Sequence, residues 1–540
     1  MPSNFKNQSV NTHSFAMIPK PSVPRSSFKQ EHTHKTTLDA GYLIPIYRAM
    51  VYPGDTFNLR GTIYARLATP LFPVMDNLWM DTQFWFVPLR LLWDNFKRFM
   101  GEQDNPADSI SYTVPQMVTP AGGYAINSLQ DYFGLPTAGQ VTAGLTVSHS
   151  ALPLRAYNLI YNNWYKDENL QNAVVVDKDD GPDLYTDYNL LRRGKRPDYF
   201  TSCLPWAQKG AAVTLPLGTT APIKSDGTDI QMRGGTGTMT KINPAGAGAN
   251  SNVQVITGTT VAAMNFGASG ASTTGLYADL STAAGATINA FRNALAVQAL
   301  LEKDARGGTR YTEVVRQQFN VQSADARLQR PEYLGGGSAP ININPVAQTT
   351  GTGATGTTTP LGNLAAVGAG LARHHGFTQS FTEHGIIIGI LSIRADLTYQ
   401  QGLERFWSDL TRYDFYTPVF ANLGEQAVLN KEIYVKGDAN DSLVFGYQER
   451  WAHLRYFPSM ITGLFRSTAA TTIDPWHLAQ KFTALPTLNS TFIQDTPPVS
   501  RVVAVGAAAN GQQFIVDSFW SNKLARQLPM YSVPGLAARI

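Results

Sequence analysis

From Thr56 to Leu67 the chain alternates strictly. Phe57, Leu59, Ile63, Ala65 and Leu67 fall on one face, and Asn58, Arg60, Thr62, Tyr64 and Arg66 on the other. A period of two is the signature of a strand with one buried face. Similar signals recur at Trp79–Val87, Ile386–Ile393, Ile433–Val435 and Leu443–Tyr447. Near the C-terminus, Arg501–Val505 and Gln513–Phe519 flank Asn510-Gly511, the dipeptide that a tight hairpin prefers. These strands are separated by turns and not by regular helices, which predicts an antiparallel sandwich over a parallel βαβ sheet. Helices are expected as inserts. Leu89, Leu92, Trp93, Phe96 and Met100 form one apolar stripe, and Leu154, Tyr157, Tyr161, Trp164 and Tyr165 a second. A third runs from Ile288 through Phe291, Leu295 and Leu301, and Asp474-Pro475 opens a short fourth with Asp474 as cap.

Two tracts depart from this pattern. Between Ala211 and Ala290 about half the residues are Gly, Thr or Ala, and the only rings are Phe266 and Tyr277. The charges there are Lys224, Arg233 and Lys241 against Asp226, Asp229 and Asp279. A segment so poor in large side chains cannot build a dense core, so it reads as a linker or as a β-rich loop held at a contact between chains. Gly335–Gly376 reads as a second loop. It contains a literal G-x-G-x-x-G at Gly351–Gly356, but the following Thr-rich run ends in Pro360, where a dinucleotide fingerprint needs a helix. No cofactor is expected.

Charge is unevenly placed. The chain carries 15% charged residues, against ~25% in an ordinary soluble domain, and 11% aromatic ones. That balance suits a molecule largely covered by other chains. The formal net charge is +4. Residues 1–35 supply all of it through Lys6, Lys20, Arg25, Lys29 and Lys35 against Glu31, so the remainder balances to zero. With Pro19, Pro21 and Pro24 the arm reads as extended, either frayed or laid on nucleic acid or a neighbouring subunit. The start at Met1-Pro2-Ser3-Asn4 has no apolar stretch of a secretory signal. The longest strongly apolar run, Gly385–Leu391, is far short of a membrane span.

Reactive constellations are sparse. Cys203 is the only cysteine, which excludes a disulfide scaffold and a Cys-rich zinc site. His32, His34, His374, His375 and His384 lack zincin spacing and read as packed or exposed. Asp177, Asp179, Asp180 and Asp183 surround Gly181-Pro182, but without the glycine and closing glutamate of an EF-hand they read as a solvated turn. There is neither a G-x-S-x-G elbow nor a phosphate loop ending in Gly-Lys-Ser/Thr, so no enzyme is expected.

Longer strings carry a resemblance. They include Thr33-His-Lys-Thr-Thr-Leu-Asp-Ala-Gly-Tyr42 and Ala65-Arg-Leu-Ala-Thr-Pro-Leu-Phe-Pro-Val-Met-Asp-Asn-Leu78. Arg327-Leu-Gln-Arg-Pro-Glu-Tyr-Leu-Gly-Gly336, Asp396-Leu-Thr-Tyr-Gln-Gln-Gly402 and Val444-Phe-Gly-Tyr-Gln-Glu-Arg-Trp451 continue the set. Across residues 30–210 and 290–540 the chain resembles the major capsid proteins of microviruses, in the gokushovirus branch of small single-stranded DNA phages. The Gly/Thr/Ala-rich tract matches nothing in detail, and Ala324 stands where the pattern has Pro before Asp325. The resemblance implies an all-β fold with helical insertions: an eight-stranded antiparallel jelly-roll sandwich with long loops. Residues 1–40 would be the basic arm and 41–540 the jelly-roll domain, with 211–290 as a surface protrusion inside it.

It further implies sixty copies in a T = 1 shell around circular single-stranded DNA, assembled in the bacterial cytoplasm. Each chain would bury several thousand Å² against its neighbours, well beyond the ~1,600 Å² of an ordinary pair. The helices around Trp93 and Trp164 are expected to contribute. The arm (Lys6, Lys20, Arg25, Lys29, Lys35) would face the DNA, and Lys224, Asp226, Asp229, Arg233, Lys241, Phe266 and Tyr277 would mark the protrusion that meets a host surface receptor. A genome long enough to encode this chain brings at least ~27 phosphates per subunit, far more than the arm neutralises. A small basic DNA-packaging protein is therefore an implied partner, as is a pilot protein. The rival reading from the residues alone is a carbohydrate-binding or glycan-hydrolysing β-sandwich, against which the missing export signal stands.

Overall fold

The computed structural model describes residues 24–102, 111–211, 288–307, 329–349, 362–504 and 512–531 continuously, with isolated residues and four short strands between them. The chain divides into two compact units, Gln208–Gly307 and the remainder.

The larger unit is organised by eight strands: β1 (Arg25–Leu38), β2 (Ile44–Val51), β3 (Thr56–Leu67), β4 (Leu78–Pro88), β5 (Glu332–Ala347), β6 (Leu364–Ser380), β7 (Gly385–Ala395) and β8 (Phe514–Gln527). Their order in the sheet is β1-β8-β3-β6-β5-β4-β7-β2, and every pairing is antiparallel. The order is that of a jelly roll. One half-sheet is β1-β8-β3-β6, the other β2-β7-β4-β5, and the β5–β6 pairing joins them into one rolled sheet.

Side chains meeting across the interior show the roll. Tyr47 of β2 lies 5.4 Å from Trp520 of β8 and 6.3 Å from Phe84 of β4, and Phe84 lies 5.5 Å from Phe377 of β6. The two edge strands also approach. His32 of β1 stacks on Tyr47 at 5.9 Å, and His34 Nδ1 is 3.3 Å from the Ile46 carbonyl. Gly61 makes room for this cluster, because a Cβ there would fall 2.2 Å from the Trp520 ring.

Strand β7 is buried along its whole length, which explains its unbroken apolar run. Ile387, Leu391 and Ile393 enter the barrel core, while Ile386, Ile388 and Ile390 enter a second core outside it. That second core is closed by α1 (Leu152–Ile160) and by the turns that carry Leu89, Leu92, Trp93 and Phe96.

Several expectations need correction. The Gly335–Gly376 tract is no loop: most of its described residues form β5 and β6. Its glycines serve close packing, since a Cβ on Gly336 would stand 2.1 Å from the Thr82 carbonyl oxygen. The G-x-G-x-x-G at 351–356 lies outside the described residues. Ile433–Val435 is not a strand. Asn430–Ile433 is a helical turn, held because Glu432 Oε1 accepts from the Leu429 amide at 2.9 Å. Val444–Glu449 is a strand, but it pairs with Glu425–Leu429 outside the barrel. The C-terminal hairpin does not form: Val499–Arg501 is a 3-10 turn, and β8 pairs with β1 and β3. Asp474–Trp476 is a single 3-10 turn with Asp474 inside its first turn and not capping it.

The smaller unit carries two short antiparallel ladders, Ile223–Ser225 with Leu276–Ala278 and Ile230–Arg233 with Met239–Ile242. The 19-residue helix α2 (Ile288–Arg306) follows. Its Ile288, Phe291, Leu295, Val297 and Leu300 are all exposed within the chain.

Candidate assembly surface

The side chains expected at contacts between chains divide sharply. Trp93 is fully buried, and its Nε1 donates to Asp180 Oδ1 at 2.6 Å. It belongs to the chain's own core and is corrected from an interface residue to a packing one. Trp164 is partly covered: it packs 4.8 Å from Trp85, donates to the Pro331 carbonyl at 2.9 Å, and lies under the Arg330 guanidinium.

The densest run of uncovered apolar side chains lies elsewhere, between Arg405 and Phe465. This segment is irregular, built of 3-10 turns at Arg405–Ser408, Arg412–Asp414, Pro418–Phe420 and Ala452–Arg455. Leu410 is 88% exposed, Val419 83%, Phe457 84% and Met460 72%. Trp407, Tyr413 and Phe415 are more than half exposed as well. An isolated soluble chain does not present so dense a set of large apolar side chains. Their only signal in the sequence is local density, because they follow neither a period of two nor one of 3.6.

The surface is held from beneath by a third core of Tyr199, Phe200, Cys203, Tyr399, Val428, Ile433, Phe445, Phe492 and Ile493. A cavity of about 470 Å³ opens between them and is lined by Trp407, Glu432, His453, Phe457 and Met460 among others. Glu432 anchors its wall, accepting from Tyr199 Oη and from Arg405 Nη1, each at 2.9 Å. Burial raises the Glu432 carboxyl above its ordinary range, and the Arg405 guanidinium opposes this. Burial pushes the His453 imidazole down to about 4, with the Arg405 charge adding to it.

The residues expected in the arm are only partly in view. Lys6 and Lys20 lie outside the described residues. Arg25, Lys29 and Lys35 stand on β1, inside the sheet and not in a free extension. Arg25 donates to Thr56 Oγ1, Lys29 pairs with Glu31 at 2.8 Å, and Lys35 pairs with Asp517 at 3.0 Å. Of the residues expected in the protrusion, Lys224, Arg233, Lys241 and Tyr277 lie in the short strands of the smaller unit. Asp226, Asp229 and Phe266 lie outside the described residues.

The acidic turn is not simply solvated. Asp183 is buried against Arg155, and both side chains are inaccessible to solvent. The Arg155 Nε donates to Asp183 at 2.8 Å, and its Nη1 donates to the Leu92 and Asp179 carbonyls at 3.1 and 2.9 Å. These carboxylates lock a loop onto α1. Among the described residues no cluster of His, Cys, Asp or Glu is arranged to hold a metal ion, and none of the described helices is long and apolar enough to cross a membrane. The histidines are partly packed and partly exposed: His375 Nδ1 lies 2.7 Å from Thr82 Oγ1 and His384 meets Tyr52 and Phe96 edge-on, while His32 and His374 are exposed.

A jelly roll with a large open apolar surface fits a subunit of a larger particle, and comparison with known proteins agrees. Residues 16–536 match the family of the capsid protein (F protein). The chain is 45% identical to capsid protein VP1 of Bdellovibrio phage phiMH2K, over 98% of both chains. It is 43% identical to capsid protein VP1 of Chlamydia phage 1, over 99% of this chain and 100% of that one. With capsid protein VP1 of Spiroplasma virus 4 the identity is 36%, again over 99% and 100%. The chain belongs to the phage capsid protein (F protein) family, among the gokushovirus-type microviruses.

Proposed function

We propose that this chain is the major capsid subunit of a T = 1 shell in which sixty copies enclose a circular single-stranded DNA genome. Its role is structural and involves no catalysis. The observation that carries the reading is the open apolar surface between Arg405 and Phe465, which needs a partner of like chemistry. A closed shell supplies one, because each subunit meets several copies of itself around the symmetry axes. The shell is the virion's outer layer and is assembled in the cytoplasm of the host bacterium. The basic arm lies on its inner side, where a small basic packaging protein supplies the charge that the arm lacks, and a pilot protein completes the particle. The Ala211–Ala290 insertion, with its small residues and short ladders, forms an outward protrusion that meets a receptor on the bacterial surface.

The test is assembly. The purified wild-type chain should form closed particles of uniform diameter by electron microscopy. Trp407→Ser with Phe457→Ser should keep the circular dichroism spectrum and melting temperature of the unassembled subunit, since both side chains are mostly outside its cores. Losing roughly 2 kcal/mol at each anchor should raise the concentration needed for assembly by at least about 30-fold. Particles formed at the wild-type concentration would refute this assignment of the surface.

A further inference from the structure

We infer that the outward face of the half-sheet β1-β8-β3-β6 binds single-stranded DNA, so that contact with the genome extends well beyond the arm. This rests on the proposed reading of the chain as a shell around such DNA.

The register brings the face together. Along β3 the residues pointing away from the core are Arg60, Thr62, Tyr64 and Arg66, spanning about 20 Å. On one side β8 sets Ser521 beside Arg60, Phe519 beside Thr62, Asp517 beside Tyr64 and Ile515 beside Arg66. On the other side β6 sets Arg373 beside Thr62 and Leu371 beside Tyr64. Lys523 continues the same face of β8, opposite Lys29 of β1.

Two features distinguish this face. First, Arg60, Arg66, Arg373 and Lys523 are exposed and have no carboxylate within ion-pair distance among the described residues. Several arginines elsewhere in this unit are instead held by carboxylates, as Arg90 by Glu383, Arg193 and Arg394 by Asp81, and Arg526 by Asp55. The carboxylates on the face, Glu31 and Asp517, are already paired with Lys29 and Lys35. Second, exposed rings alternate with these cations: Tyr64 is 45% and Phe519 43% exposed. Beside them a recess of about 680 Å³ is lined by Lys35, Tyr64, Arg66, Ile126 and Ile515, with the Asp131 and Asp517 carboxylates on its wall, Asp131 accepting from the Asn127 amide. Unpaired cations for phosphates, with rings on which bases stack, are what a single strand requires without sequence reading. A membrane or an acidic protein would use the cations but would have no need of the interleaved rings.

The test uses the full-length unassembled subunit and a fluorescein-labelled oligodeoxythymidine of about 20 nucleotides, long enough to cross the face, with anisotropy followed against salt. The variant Arg60→Ser/Arg66→Ser/Arg373→Ser/Lys523→Ser should lower the slope of log affinity against log salt by about 3 relative to wild type. Tyr64→Ser/Phe519→Ser should weaken binding by at least about 20-fold with an unchanged slope. An unchanged slope in the first variant, in a subunit whose particles still fill with DNA, overturns the inference and leaves the capsid reading intact. Wild-type particles that never contain DNA would overturn both. If the variants misfold, wild-type particles filled with bromodeoxyuridine-substituted DNA are irradiated instead. Crosslinks at Tyr64 or Phe519 are expected, and crosslinks confined to other regions refute the inference. Binding of wild-type subunit to phosphatidylserine vesicles but not to the oligonucleotide would refute it as well.

Discussion

Replacing Arg155 with Met tests whether the buried carboxylate loop holds the second core together. The Arg155 side chain is inaccessible, and its three nitrogens reach Asp183, Asp179 and the Leu92 and Asp179 carbonyls. Without the guanidinium, Asp183 remains buried with the Tyr188 hydroxyl at 2.5 Å as its only remaining side-chain donor among these groups. Removing one partner of such a pair costs about 3–5 kcal/mol, because the other charge is left uncompensated. That is a large fraction of the roughly 5–15 kcal/mol that typically holds a domain. Asp183→Asn alone strands the cation and should cost a similar amount. The double variant strands neither charge, so its cost should fall about 3 kcal/mol short of the sum of the two single costs. Urea unfolding of the unassembled subunit, followed by tryptophan fluorescence, measures all four proteins, and Trp93 reports on this core directly. A single-variant cost below about 1 kcal/mol, or costs that simply add, would refute the reasoning.

Two further outcomes follow from other parts of the chain. Burial pushes the Asp495 carboxyl up to about 6 against the pull of Arg193 and Lys195. The folded state therefore keeps this proton to higher pH than the unfolded state does, and this contribution to stability is present below about pH 4 and lost as pH rises through about 6. Relative to Asp495→Asn, the wild type should lose at most about 3 kcal/mol between about pH 4 and 7, and a urea-derived difference independent of pH would contradict this. Deleting residues 225–280 should spare particle yield while abolishing infectivity if the insertion meets a receptor, whereas equal loss of both would assign it an internal structural role.

What could be read from the sequence followed how each strand is buried. Strand β3 was legible because one face meets the core and the other meets solvent, and β7 because apolar cores cover both of its faces. Strand β1 was not, since His32 and His34 take positions against β2 where an apolar residue would have marked the period, and their partners, the Tyr47 ring and the Ile46 carbonyl, come from the opposite edge of the sheet. Strands β5 and β6 were hidden by glycines, whose missing side chains look like loop composition until Thr82 and the strands beside them are in place. The same limit applies to the candidate DNA surface. Arg60, Tyr64 and Arg66 declare themselves as the polar side of one alternating strand. Arg373, Phe519 and Lys523 are far away in sequence, and only the antiparallel register of β6 and β8 with β3 sets them alongside. Polar alternation in a single strand says only that one face is wet. Cations gathered from three strands, with the sheet's own Glu31 and Asp517 already paired, make that wet face a candidate site.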